Sequence, residues 1–145
     1  QRQFGWYLLL NEHRVIHRGA DSIVVAGTEN DGKPPFPKRS DLAKALKGVN
    51  KNAFVLLLQH DPSSWERSIL PSSNVQVTLS GHTHGGQVDM LGLRPTRILL
   101  HQDKGLYTQG QRSLFISSGL GGVVRFRFGV PPEVVVITLR RGQVQ

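Results

Sequence analysis

The chain has no cysteine, which excludes both a disulfide framework and any thiolate metal site. It has no uninterrupted apolar stretch approaching the roughly eighteen residues that a membrane-spanning helix needs. Internal repeats, low-complexity tracts and linker-like breaks are also missing, so residues 1–145 read as a single domain, long enough to bury a core. Acidic residues are scarce: ten Asp and Glu face eighteen Lys and Arg, for a formal net charge of +8. That balance suits anionic partners such as phosphate esters, anionic lipid headgroups or nucleic acid. Gly119-Leu120-Gly121-Gly122 lacks the strand-to-helix setting of a dinucleotide fingerprint and reads instead as a loop.

What is present is a succession of short apolar runs separated by turn residues. Phe4 to Leu10 and Arg14 to His17 read as strands joined by Asn11-Glu12-His13, and Asp21 to Gly27 as a third strand. Thr28 to Arg39, with three prolines, is a loop. Ser40 caps a predicted helix over Asp41 to Lys47, stopped by Gly48, with Leu42, Ala45 and Leu46 as its buried stripe. A strand over 53–59, a helix after Pro62 with Trp65 and Ile69 on one face, and a strand over 75–80 follow. The order strand–helix–strand–helix–strand predicts an α/β fold with parallel strands. Beyond Val88 the rhythm changes. Arg97 to Leu100, Gly105 to Thr108, Ser113 to Ser117 and Val134 to Leu139 read as short antiparallel strands of a second sheet.

Two of these strands end on histidine. Ala53 to Gln59 is a continuous apolar run, as in a strand buried on both faces, and His60-Asp61-Pro62 follows it. Val75 to Leu79 alternates and leads into Ser80-Gly81-His82-Thr83-His84-Gly85-Gly86-Gln87. Open α/β sheets bind ligands beyond the carboxyl ends of their strands, where His60, His82 and His84 fall. At spacing i, i+2 in extended chain, two imidazoles point to one side about 7 Å apart, a spacing that suits flanking two adjacent ions. Imidazole serves zinc, iron, manganese and nickel alike, so the residues leave the metal open.

His60-Asp61-Pro62 followed by Gly81-His82-Thr83-His84-Gly85-Gly86-Gln87 resembles the last two blocks of the calcineurin-like metallophosphoesterases. The Gly-His-Thr-His-Gly-Gly-Gln form is similar to that of the membrane-associated or exported bacterial branch. Ser118 to Gly121, Arg125 to Phe128 and Pro132-Glu133-Val134 resemble that branch's C-terminal end. The resemblance implies a four-layer α/β/β/α sandwich of which this chain is the C-terminal half. It also implies two divalent ions (manganese, iron, zinc or similar), His60 and His82 on one and His84 on the other. The family's Asp-x-His, Gly-Asp-x-x-Asp and Gly-Asn-His-Asp/Glu blocks do not occur in residues 1–145. The bridging carboxylate and the general acid are therefore expected upstream of Gln1, in a missing N-terminal half. The resemblance implies hydrolysis of a phosphomonoester, phosphodiester or pyrophosphate by the intact protein, with this chain alone inactive. A bacterial protein of the cytoplasm, or one that is membrane-associated or exported, is compatible with it. A membrane surface and self-association of the half-domain join the phosphate ester among the expected partners.

Arg125-Phe126-Arg127-Phe128 alternates basic and aromatic residues. Three readings are open: Phe inward and Arg outward with no ligand, Arg125 or Arg127 gripping a substrate phosphate, or a nucleic-acid surface. The first is favoured and nucleic acid is disfavoured. Asp61 reads as Asp-Pro turn chemistry. Gln87 reads equally as a brace for the histidine loop or as a solvated side chain. The competing functional class is a non-catalytic module that binds anions or nucleic acid through its basic surface.

Overall fold

The computed structural model describes residues 2–32 and 34–142. β1 (Glu12–Arg18) and β2 (Asp21–Gly27) form a hairpin about Gly19-Ala20. A loop leads to α1 (Leu42–Ala45), then β3 (Val55–Leu58). A π-type turn, Trp65–Ile69, runs into α2 (Leu70–Ser72), and β4 (Val77–Ser80) follows. α3 (Pro95–Leu99) precedes a second hairpin of β5 (Gly105–Gln109) and β6 (Arg112–Ile116). The strands make one six-stranded sheet of order β1-β2-β3-β4-β6-β5. β2, β3, β4 and β6 are parallel, and β1 and β5 are antiparallel edges.

Register explains why the parallel strands are apolar on alternate and on successive positions alike. Ala26, Leu57, Thr78 and Leu114 are paired neighbours and share one face. Trp65, Ile69, Leu42 and Leu46 from the helical segments pack on that face, and Leu57 is 0% exposed. Burying a side chain of this size contributes about 1.5–3 kcal/mol. The opposite face carries Val25, Leu56 and Val77 in one row and Leu58, Leu79 and Phe115 in the next. It is as apolar as the first, yet Leu58 is 42% exposed.

Several expectations are corrected. Phe4 to Leu10 is not a strand, and Asn11 to His13 is not a hairpin turn. Buried Asn11 instead joins the ends of the 28–41 loop, donating to Glu29 and the Arg39 carbonyl and accepting from the N–H groups of Glu29 and Asp41. The cap of α1 is Asp41, whose Oδ1 accepts the Lys44 N–H at 2.8 Å. Residues 97–100 fall in α3 and the following residue rather than in a strand, because Pro95 presets a helical φ at the first position. The β5–β6 hairpin extends the first sheet, parallel to β4, so no second sheet forms among the described residues. Val134 to Leu139 makes no strand either, since a strand needs a neighbour for its N–H and C=O groups and no strand among the described residues pairs with it.

Candidate metal centre

The strand ends place the histidines. Beyond β3 and β4 the pairing continues for two more steps: Gln59 N–H donates to the Leu79 carbonyl at 3.0 Å and Gly81 N–H to the His60 carbonyl at 3.2 Å. Ser80 Oγ also donates to the Gln59 carbonyl at 2.6 Å. His60 and the 82–84 turn thus leave the same edge of the sheet side by side. The rings of His60 and His82 meet edge to face with centroids 5.1 Å apart. At Gly81 a Cβ would lie 3.8 Å from His60 Nδ1, so the turn passes directly beside that ring.

After β4 the backbone enters a tight left-handed path. His82, His84, Gly85, Gly86 and Gln87 all have positive φ, at 71°, 52°, 60°, 72° and 58°. Left-handed backbone costs a residue with a Cβ about 1–2 kcal/mol, so the three non-glycine positions must be held by their surroundings. Two braces do so. Thr83 Oγ1 donates to the Asp103 carbonyl and accepts from the Gly85 N–H. Gln87 is buried, its Nε2 donating to the carbonyls of Val124 and Phe126 at 2.8 and 2.7 Å and its Oε1 accepting from the N–H groups of Val123 and Val124. Gln87 is therefore a brace and not a solvated side chain.

Asp103 is the deeper support. Its side chain, 1% exposed, accepts from Arg94 at 2.7 and 3.2 Å, from Thr96 and from the Tyr107 hydroxyl. Burial opposes its ionisation, but hydrogen bonds and charge from Arg94, then Thr96 and Tyr107, outweigh that and hold its pKa below the ordinary value. Glu133 acts similarly beyond β6. Its Oε1 accepts the Ser118 N–H at 2.7 Å, which with Lys104 nearby lowers its pKa despite burial. Nothing in the local sequence pattern distinguishes Asp103, and the Pro132-Glu133-Val134 match marks Glu133 without naming its partners, which the fold alone brings together.

His60 has a lowered pKa: burial disfavours its cation first, and the charges of His82 and His84 add to this against the opposing pull of Asp61. A neutral imidazole is the ligand form. Asp61 serves the turn, its Oδ1 accepting the Ser63 N–H at 2.9 Å. An open cleft of about 700 Å³ adjoins the pair, lined by His60, His82, Phe36, Leu99, Leu100 and His101 among others.

The structure brings His60 and His82 together but does not gather His60, His82 and His84 into one three-donor site. Among the described residues, no group of three His, Cys, Asp or Glu side chains could hold an ion. The donors fit a metal as far as they go, two adjacent imidazoles at strand ends, but they do not complete a shell. Arg127 is not among the residues lining that cleft. Its guanidinium donates to the carbonyls of Ser118, Gly119, Gly121 and Val130. Arg125 is exposed, as are Phe126 and Phe128, so the expected Phe-in, Arg-out alternation is reversed at Arg127.

No family model matches the chain, and no solved structure matches it. Curated proteins do. An uncharacterized metallophosphoesterase of Aquifex aeolicus is 32% identical over 143 residues, covering 96% of this chain and 52% of the relative. One of Helicobacter pylori is 36% identical over 103 residues, 68% of this chain and 27% of the relative. A UDP-2,3-diacylglucosamine pyrophosphatase of Chlamydia muridarum is 28% identical over 113 residues, 70% of this chain and 34% of the relative. The chain thus spans about half the length of the Aquifex protein and less of the others. A mixed α/β sheet flanked by helices, imidazoles at the ends of its parallel strands and these alignments place the chain in the metallophosphoesterase family.

Proposed function

We propose that this chain is the C-terminal half of a two-metal phosphoesterase domain that hydrolyses a phosphomonoester, phosphodiester or pyrophosphate. The observation that carries the reading is the His60–His82 pair, with ring centroids 5.1 Å apart at the mouth of the cleft. His60 and His82 would hold one divalent ion and His84 a second, an assignment that needs no single three-histidine cluster. Such ions supply charge stabilisation at phosphoryl oxygens and activate water at neutral pH. The chain's own residues orient and support. His60 offers an unprotonated ring, Gln87 and the Thr83–Asp103 contact hold the histidine turn, and the cleft takes the remainder of the ester.

The remaining ligands, a bridging carboxylate and the general acid would come from the half that precedes residue 1 in such a domain. The accessible apolar face around Leu58, Leu79 and Phe115 supports this, because it has the composition of a buried layer. A second sheet seated there would complete the four-layer α/β/β/α sandwich.

Equilibrium dialysis against manganese or zinc, with and without His60→Ala and His82→Ala, tests the metal assignment. Each substitution is expected to weaken binding at least tenfold. Equal retention of metal by both variants and the parent would overturn it. Hydrolysis of a chromogenic phosphodiester is expected from the longer protein and not from the 145-residue chain.

A further inference from the structure

Two loops beside the histidine turn share an unusual construction. In residues 90–100 every large apolar side chain is exposed: Met90, Leu91, Leu93, Ile98, Leu99 and Leu100, with Leu91 100% exposed. Met90 and Leu93 pair across Leu91-Gly92, which makes this apolar tip a formed hairpin turn. In residues 120–128, Leu120, Val123, Val124, Phe126 and Phe128 are likewise exposed. The loops are joined by the Val88–Phe128 bridge and by the four bonds from Gln87 to residues 123–126, so their apolar tips lie on connected elements.

Each loop also carries two arginines with divided roles. Arg94 and Arg127 turn inward, to Asp89 and Asp103 and to main-chain carbonyls respectively, and hold the loops in shape. Arg97 and Arg125 are exposed and have no acidic partner among the described residues. Between residues 88 and 130 the only acids are Asp89 and Asp103, and Arg94 pairs with both. Within these two loops, therefore, exposed side chains are apolar or cationic and every carboxylate is paired, while Glu66, which contacts His101 and Gln102, stands beside Leu99 and Leu100 at the cleft.

We propose that residues 90–100 and 120–128 form a docking surface for an anionic lipid bilayer. Apolar tips enter the acyl boundary while Arg97 and Arg125 meet lipid phosphates, a division of labour that interfacial attachment requires. A protein partner would also bury the leucines, but in both loops one arginine is held inward, the other is exposed and no carboxylate is left unpaired, which favours a uniformly negative surface. Leu99 and Leu100 also line the cleft beside His60 and His82, so docking would bring the mouth of that cleft to the headgroups. The docking claim does not depend on hydrolysis.

The test is sedimentation with phosphatidylcholine vesicles and with mixed phosphatidylcholine–phosphatidylglycerol vesicles. The parent chain is expected to bind the anionic vesicles, at least tenfold more tightly than the neutral ones. Leu91→Ser with Leu93→Ser should lower binding at least tenfold, and Arg97→Glu with Arg125→Glu should abolish the preference for phosphatidylglycerol. Ile16→Ser, exposed on the far edge strand, should bind as the parent does. A Leu91→Trp probe should shift its emission to the blue with anionic vesicles, and circular dichroism would verify folding of every variant. Parent-like binding by the Leu91/Leu93 variant, or no vesicle binding by the parent, would overturn the proposal. So would loss of self-association in that variant without vesicle binding, which would assign the surface to a second copy. Binding by the chain but not by a protein that carries the preceding half would also overturn it, because the surface would then be an internal one.

Discussion

At the residue scale the histidine turn depends on Gly85, which could be mistaken for a spacer, and Gly110 in the β5–β6 turn is its natural comparison. Gly85 and Gly110 have the same φ of 60°, so an alanine at either meets the same left-handed backbone cost. Their surroundings differ. A Cβ at Gly85 would lie 2.9 Å from Val130 Cγ1 and 3.2 Å from Lys104 Cδ, whereas at Gly110 nothing lies within 4 Å. Gly110→Ala is therefore expected to destabilise by about 1 kcal/mol, and Gly85→Ala by about 2–4 kcal/mol because overpacking is added. Urea denaturation of the two variants measures the difference, and equal losses would show that the turn yields freely. Gln87 illustrates the limit of residue-level reading. Its place in the Gly-Gly-Gln block was visible, but its four partners lie some 36 to 39 residues onward.

At the scale of elements, the segment from α3 to β5 is the buttress of the candidate site, and Asp103 is its charged centre. Its pKa is lowered on folding, so it contributes stability that is complete above the ordinary carboxylate value of 3.8 and lost as pH falls through the lower folded value. Asp31, depressed by Ser64 and Arg67 against its burial, acts in the same direction and window. Asp103→Asn is expected to cost about 3 kcal/mol at neutral pH, since Arg94 keeps its charge and loses its main partner. The variant should also lose less stability than the parent as pH falls from about 4 towards 2, on the order of one proton's linkage. Denaturation curves across that range decide it, and an unchanged acid slope would contradict the assignment. The helix at Pro95 and the shift of the hairpin to residues 12–27 teach a related lesson. Apolar spacing proposed strands over 4–10 and 97–100, but a Gly19-Ala20 turn and a proline at a helix start governed the local backbone.

For the whole molecule, the decisive feature is a sheet apolar on both faces with helices packed on one. The 145-residue chain should therefore self-associate as its concentration rises, while a protein that carries the preceding half should not. Analytical ultracentrifugation over a hundredfold concentration range makes the comparison. A strictly monomeric chain would argue that Leu58, Leu79 and Phe115 need no cover. The free segment 134–139 belongs to the same account. Val134 to Leu139 has the composition of a strand, but composition cannot supply the neighbouring strand whose hydrogen bonds would make it one.

The sequence by itself determined where β2, β3 and β4 run, though not that β6 joins them in parallel, and that His60, His82 and His84 stand just past the ends of β3 and β4. Those properties depend on spacing along the chain, period two for strands and glycine for turns, and spacing is local information. The tertiary structure alone decided that His60 and His82 face one another, that Gln87, Asp103 and Glu133 hold the loops, and that Arg127 closes a loop where Arg125 stays outside. Each of those outcomes is a choice of partner between residues distant in sequence, made by the packing and register of the sheet, and no local pattern encodes it.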